Sequence, residues 1–268
     1  NEKVTYLGRK KNNGIGTHFM WENRDIRYNV LRAVGYYKGK AVAEDILVLN
    51  GLEQSPHFGI LYQDTKPLLK GEDGYNYLYR INCGGDDFTD SFGQLWMQDN
   101  TNYSRSWAAS FNELNPYLAS QRTTNDPIRG SRDWKLFQHF RFGRHQLEYN
   151  FPVADGMYRI EFYFTEPWHG TGGSASTDCE GLRIFDVAVN DSVVLDDLDI
   201  WAESGHDGAC KKVVYAIIKG GLLKIHFPEV KAGQALISGI AIASANSDLK
   251  PTLFPASDWN WEKASKEV

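Results

Sequence analysis

The chain has 268 residues, a formal charge of −5, and 42% hydrophobic and 13% aromatic residues, ample for the packed core of one large β domain or two smaller ones. It contains no Lys/Arg cluster that would draw nucleic acid or an anionic membrane surface. No apolar run approaches the ~20 residues that span a bilayer, so nucleic acid and membrane insertion are set aside and neutral glycans stay open as partners.

The first residues, Asn1-Glu-Lys-Val-Thr-Tyr, carry no signal-peptide pattern and read as a cut inside a longer chain. Runs at 4–7, 18–21, 31–37 and 41–49 are strand-like. The last two join as a hairpin through Lys38-Gly39-Lys40, where Gly39 accepts the positive φ of a tight turn. Four strands are too few to close a sandwich, so residues 1–50 read as part of a β domain. Residues 51–74 lose periodicity and gain Pro56, Gly59, Pro67, Gly71 and Gly74, which marks a linker with one short strand at 58–62.

Strand-like runs then follow at 77–83, 146–151, 158–165, 182–189, 193–195, 212–218, 222–227 and 235–243. Ala154-Asp-Gly156, Asn190-Asp-Ser192 and Lys219-Gly-Gly221 punctuate them. Strands of this length between Gly and Asn turns predict an all-β sandwich or jelly roll rather than a βαβ fold. The stretch 98–131 has no sustained period and holds Tyr103, Trp107, Phe111 and Tyr117. Ser106 could cap a short helix over 107–114. The tail 247–268 carries Phe254, Trp259 and Trp261 and is expected to dock on the first domain or on a neighbour beyond it.

Two aromatic-rich turns, Tyr79 to Trp96 and Tyr163 to Gly170, point to sugar binding. Rings on loops above a rigid sheet can stack on the C–H face of a pyranose while carboxylates and amides bond its hydroxyls. Trp168, between Pro167 and Gly170-Thr-Gly-Gly173, belongs at a loop mouth, and Phe142 before Gly143 has a similar place. Gly84-Gly85 followed by Asp86-Asp87 allows close backbone approach beside two carboxylates; a plain strand-ending turn explains it equally well. Asp186 in mid-strand reads as structural, and Asp197 and Asp199 as turn formers. Their oxygens leave a structural calcium ion open, without EF-hand spacing; no cofactor or metal ligand set is otherwise expected. Cys83, Cys179 and Cys210 are too few and too irregular for a zinc site or a disulfide framework. Cys83 reads as a small buried hydrophobe, and a Cys179–Cys210 bridge stays open. Neither His18 nor His206 has a nucleophile beside it in a recognisable arrangement, so no catalytic residue is assigned.

Arg80-Ile-Asn-Cys-Gly-Gly85, Leu136-Phe-Gln-His-Phe-Arg-Phe142, the 158–168 strand and turn, Phe185-Asp-Val-Ala-Val-Asn190 and Asp197-Leu-Asp-Ile-Trp201 occur in an order that resembles malectin-type carbohydrate-binding modules (family 57). The resemblance covers about 75 to 246. It implies a β-sandwich whose loops bind glucose- or galactose-type oligosaccharides, and it carries ligand contacts onto Trp107, Phe142, Trp168, His169 and Asn246. His169 replaces an aromatic, and Asn246 stands near an aspartate of the family. Leu7-Gly-Arg-Lys10 and the run from Asn29 to Asp45 resemble part of the immunoglobulin-like domain downstream of the barrel in family 2 glycoside hydrolases. Together the two resemblances imply a non-catalytic accessory region of a periplasmic or extracellular β-galactosidase-like enzyme. Its partners would be an oligosaccharide or polysaccharide and the parent catalytic domain. The alternative is a structural sandwich that packs on that barrel or mediates dimerisation.

Overall fold

The computed structural model describes residues 5–49, 52, 53, 55, 67–99, 121–144, 147–170 and 178–251. The expected strand at 58–62, the helix at 107–114 and the tail from 252 onward lie outside these residues.

Strands β1 (Val30–Tyr37) and β2 (Lys40–Val48) form the expected hairpin. Lys38 and Gly39 both take positive φ, 49° and 79°, the combination that matches the turn to the strands' right-handed twist. Residues 18–21 are not a strand. A strand needs a neighbour to complete its ladder, and among the described residues none pairs with this run, whose Phe19, Met20 and Trp21 stay exposed.

The remaining elements are β3 (Asn76–Asn82), β4 (Phe88–Thr89), β5 (Leu95–Gln98), β6 (Gln121–Thr123), α1 (Trp134–Gln138), β7 (His139–Gly143), β8 (Glu148–Pro152), β9 (Gly156–Phe164), β10 (Ile184–Val189), β11 (Ser192–Leu198), α2 (Ile200–Ser204), β12 (Cys210–Ile218), β13 (Leu222–His226), β14 (Val230–Ala232), β15 (Ala235–Ile237) and β16 (Gly239–Ser244). A six-stranded sheet runs β12-β9-β16-β3-β5-β4. A five-stranded sheet runs β11-β10-β13-β8 with β14 also on β10, and β15-β7-β6 form a third. The architecture is the expected all-β sandwich.

Strand β9 shows why. Its alternate residues Tyr158, Ile160, Phe162 and Phe164 join Tyr149, Phe151, Phe185, Val187 and Ile225 in the main core. On its other face Tyr163 joins Leu69, Trp96, Trp134 and Phe137 in a second cluster. The large sheet is thus covered on both sides, which explains why β9 is buried without a break from Tyr158 to Phe164. Leu69 belongs to the stretch assigned to the linker. Residues 67–74 instead begin the sandwich's cover, with the Leu68 carbonyl accepting Lys211 Nζ at 2.8 Å.

Glu161 faces this cover. Its Oε1 accepts Tyr77 OH at 2.8 Å and Arg159 Nε at 2.9 Å, and its Oε2 accepts Tyr163 OH and Lys211 Nζ. Burial works against the carboxylate, but these donors together hold its pKa below the ordinary value. Lys211 is shifted the other way for a paired lysine, pulled down because burial outweighs its partner.

The run 235–243 is two strands. Ser238 breaks it: its N–H donates to the Tyr163 carbonyl and its own carbonyl accepts Cys83 N–H, both at 2.9 Å. The chain thereby passes from β7's sheet to the large one. A side chain at Gly239 would place Cβ 2.7 Å from Leu136 Cδ1, so the Leu136 side chain of α1 would have to shift to admit it.

Replacing Glu161 by Ala leaves Arg159 and Lys211 buried without their shared acceptor. We expect a loss of about 3–5 kcal/mol, read as a lower urea midpoint at unchanged slope.

Candidate functional site

Gly239, the first residue of β16, lies opposite Asn82 of β3 and Tyr163 of β9. The turns that leave β3 and β9 therefore share one end of the sandwich, and most of the sequence-assigned residues lie there.

The turn after β3 is tight. Gly84 sits at φ 76°, where a Cβ would fall 2.9 Å from the Phe140 carbonyl oxygen, and a Cβ at Gly85 would meet Asn82 Nδ2 at 2.3 Å. Gly84 N–H donates to Asp99 Oδ1 at 2.9 Å, and its carbonyl accepts Gln121 Nε2 at 2.7 Å. Gly84 therefore packs against β7 with its own N–H and carbonyl engaged within the protein. Asp86 remains exposed beside this turn. It is near enough to His139 to favour the charged imidazole, although burial wins and lowers that ring's pKa.

Asp99 anchors the arrangement. Beyond Gly84 it accepts Arg141 Nε at 2.6 Å, Arg141 Nη2 at 2.9 Å and Tyr149 OH at 2.7 Å. Burial opposes the Arg141 charge, yet Asp99 outweighs it and raises the guanidinium's pKa. Nothing in the aperiodic stretch around Asp99 marked it as the partner of a residue in β7.

Phe142, on β7, is half-buried against the core, with its ring 6.4 Å from Phe140 and the Arg122 guanidinium 5.6 Å from its centroid. One approach to the ring is thus shared with a cation. The rings of the first aromatic-rich turn are largely core rather than rim. Tyr79, Phe88 and Trp96 are buried, and Trp96 Nε1 donates to Asp90 Oδ2 at 2.9 Å.

The turn after β9 presents the exposed aromatic. Trp168 is 73% exposed, and its placement comes from the backbone. Buried Glu166 accepts the N–H groups of Trp168 and His169 through Oε1 at 2.9 and 3.0 Å, and Arg183 pairs with both of its oxygens. Burial raises the cost of this charge, but Arg183 and the two N–H groups outweigh it and lower the Glu166 pKa. Arg183 Nη1 goes on to the Gln234 carbonyl at 2.6 Å. The next residue, Ala235, pairs with Gly143, and Leu236 with Phe142. A continuous chain of bonds thus fixes the Trp168 turn relative to Phe142. Gly170, at φ 87°, closes against Trp201 and His206.

Asn246 is not part of this end. It follows Ser244, which pairs with Asn76 at the start of β3, and Asn76 Nδ2 donates to the carbonyl of Leu249 at 2.8 Å. The length of β16, roughly 17–20 Å at ~3.4 Å per residue, separates it from Gly239 and the rim. Trp107 lies outside the described residues.

Asp186 Oδ1 accepts Asp197 N–H at 2.9 Å, and Asp199 caps α2 by accepting Ala202 N–H at 3.1 Å, the structural and turn-forming roles expected of them. Lys231 also pairs with Asp197, so this acidic group is partly neutralised by the protein. The three cysteines are buried free thiols, with no Cys179–Cys210 bridge. A shallow hollow lined by Val194, Asp196, Asp199, Glu203 and Lys212 carries no aromatic ring and cannot stack a pyranose. Among the described residues no helix is long and apolar enough to cross a membrane.

A sandwich with an exposed ring on a loop braced from beneath is a lectin-like design. The chain belongs to the malectin domain family, whose sequence profile matches residues 77–247, more than half of its length, and it thus holds a carbohydrate-binding type of domain. Malectin from Danio rerio is 27% identical over 150 residues, 56% of this chain and 47% of that protein. Malectin-B from Xenopus laevis is 25% identical over 149 residues, 55% of this chain and 48% of that protein. The chain spans about half the length of these curated relatives. Among solved structures, a β-glucuronidase of Bacteroides uniformis is 25% identical with a TM-score of 0.50, covering 80% of this chain and 22% of the enzyme. The plant receptor-like kinase ANX1, at 14% identity and a TM-score of 0.50 over 67% of this chain and 52% of that one, shares the fold.

A carboxylate whose folded pKa is depressed contributes stability above its unfolded pKa and loses it as pH falls through the folded value. With Glu166 held below its ordinary 4.5, unfolding free energy should fall as the solution is acidified below about pH 4.5. Glu166→Gln should flatten that slope in denaturant titrations run across pH 3 to 6.

Proposed function

We propose that this chain is the non-catalytic carbohydrate-binding accessory region of a larger glycoside hydrolase, with Trp168 as its stacking platform. The carrying observation is the Trp168 ring, 73% exposed on a turn whose backbone is fixed by buried Glu166. Exposing a large ring forfeits burial, and preorganising it lowers the ordering cost of binding. His169 supplies a hydrogen-bonding ring beside it. Phe142, with the turn at Gly84, Gly85 and Asp86, forms the other side of the rim, and Trp107 is a further proposed contact. Asn246, at the far end, takes no part.

In this reading the 30–48 hairpin belongs to an immunoglobulin-like domain shared with neighbouring sequence, as in family 2 enzymes, and the sandwich is a family 57 type module. The β-glucuronidase likeness supports a parent hydrolase, and its coverage of this chain exceeds the extent of the malectin match. A β-galactosidase-like parent is the expectation from the two resemblances taken together. Work on polysaccharide places the protein in the periplasm or outside the cell. Stacking plus a few wet hydrogen bonds corresponds to a Kd between about 1 μM and 1 mM, useful because tethering raises local substrate concentration.

One observation favours a second reading, in which the sandwich is an interface domain. Val213, Tyr215 and Ile217 form an exposed stripe on the edge strand β12, next to exposed Met157. Such a stripe would pack on the parent catalytic domain or on a second copy.

Trp168→Ala should weaken binding to the cognate galactose- or glucose-type oligosaccharide by roughly 30-fold, a loss of about 2 kcal/mol, while stability changes by no more than about 0.5 kcal/mol. Calorimetric titration and a urea melt measure the two. Unchanged affinity would remove the stacking site, and absence of binding to every glycan, with destabilisation of the parent enzyme on truncation, would favour the interface reading.

A further inference from the structure

Beneath the Trp168 turn, three chain segments are laced together by backbone bonds. Asp207 N–H donates to the Glu166 carbonyl at 3.0 Å, Arg129 N–H to the Asp207 carbonyl at 2.8 Å, and Ala209 N–H to the Arg129 carbonyl at 2.9 Å. At this junction Asp126, His206 and Asp207 each bring one donor atom to within 4.8 Å of the others.

The cluster is not fully served by the protein. Asp207 is only 8% exposed. Its Oδ2 lies 2.9 Å from His206 Nε2, but its Oδ1 is buried with no hydrogen-bond partner, as is His206 Nδ1. A buried carboxylate oxygen without a donor is costly, and Asp126 brings a second carboxylate within 4.8 Å of the same imidazole. Asp126 is oriented from behind, with Thr124 Oγ1 donating to its Oδ2 at 3.1 Å, the kind of outer support that fixes metal ligands. Arg129, the neighbouring cation, spends its Nη2 on the His206 carbonyl rather than on either carboxylate.

We propose that Asp126, His206 and Asp207 form a binding site for one divalent metal ion of the zinc class, which clamps the 126–131 and 205–209 segments beneath the Trp168 turn. One imidazole nitrogen with two carboxylate oxygens suits zinc, which accepts three protein ligands and completes its tetrahedron with water. Calcium and magnesium favour all-oxygen shells. The clamp would act on the Trp168 turn through Gly170, where an added Cβ would fall 3.1 Å from His206 Cβ, and through the Asp207–Glu166 backbone bond. This site is independent of whether the rim binds sugar.

The test is calorimetric titration of chelator-treated protein with zinc chloride, with thermal melts in parallel and no glycan present. One saturable site per chain and a raised Tm are expected, with calcium chloride failing to compete. Asp126→Asn and His206→Gln should each weaken zinc binding by at least the ~10–100-fold lost with an outer partner, while the metal-free melts stay close to the parent protein. Zinc-edge anomalous scattering from crystals grown with the ion should place it between these three residues. Absence of a saturable site, unchanged affinity in both variants, a preference for calcium, or an ion located elsewhere would each overturn the proposal. Should a variant fail to fold, the parent protein's stoichiometry and the anomalous peak still decide.

Discussion

Taking a carboxylate out of water is the constraint around which this sandwich is organised. Asp99, Glu161 and Glu166 are all buried, and each is met by a guanidinium and by neutral donors, with at least one partner of each drawn from a distant part of the chain. An isolated buried charge is prohibitively costly, so each site is tolerable only when all partners arrive together. That requirement makes the three networks all-or-none. Glu161 ties the cover to the large sheet, Asp99 pulls the glycine turn onto β7 and β8, and Glu166 sets the direction of the Trp168 turn. The interactions that hold the fold at its rim are therefore the same ones that present the rim.

The strands were legible where burial gives a clean pattern. β9, β12 and β13 match their expected extents to within about two residues, the scatter usual for element ends, because apolar residues and Gly or Asn turns mark them. The short β4, β6 and β14 were not read, since two or three residues carry no period. Ser238 was missed as a break because nothing local distinguishes a strand that changes sheets from one that continues.

The site was half legible. Trp168 stood out as a tryptophan between proline and glycine, and the structure leaves it exposed. Glu166 lay within a quoted motif, but its role depends on Arg183, 17 residues away, and on backbone N–H groups that composition cannot reveal. Asp99 pairs with Arg141 across 42 residues. Asn246 illustrates a different limit. Motif order locates a residue along the chain but not at which pole of an antiparallel strand it emerges, and β16 carries it to the wrong one.

The pairing of Asn76 with Ser244 has an architectural result. The polypeptide enters the sheet and leaves it at a common pole, whereas the braced tryptophan stands at the antipode. Neither the opening strand of that sheet nor the closing one therefore brings its outer terminus beside the indole.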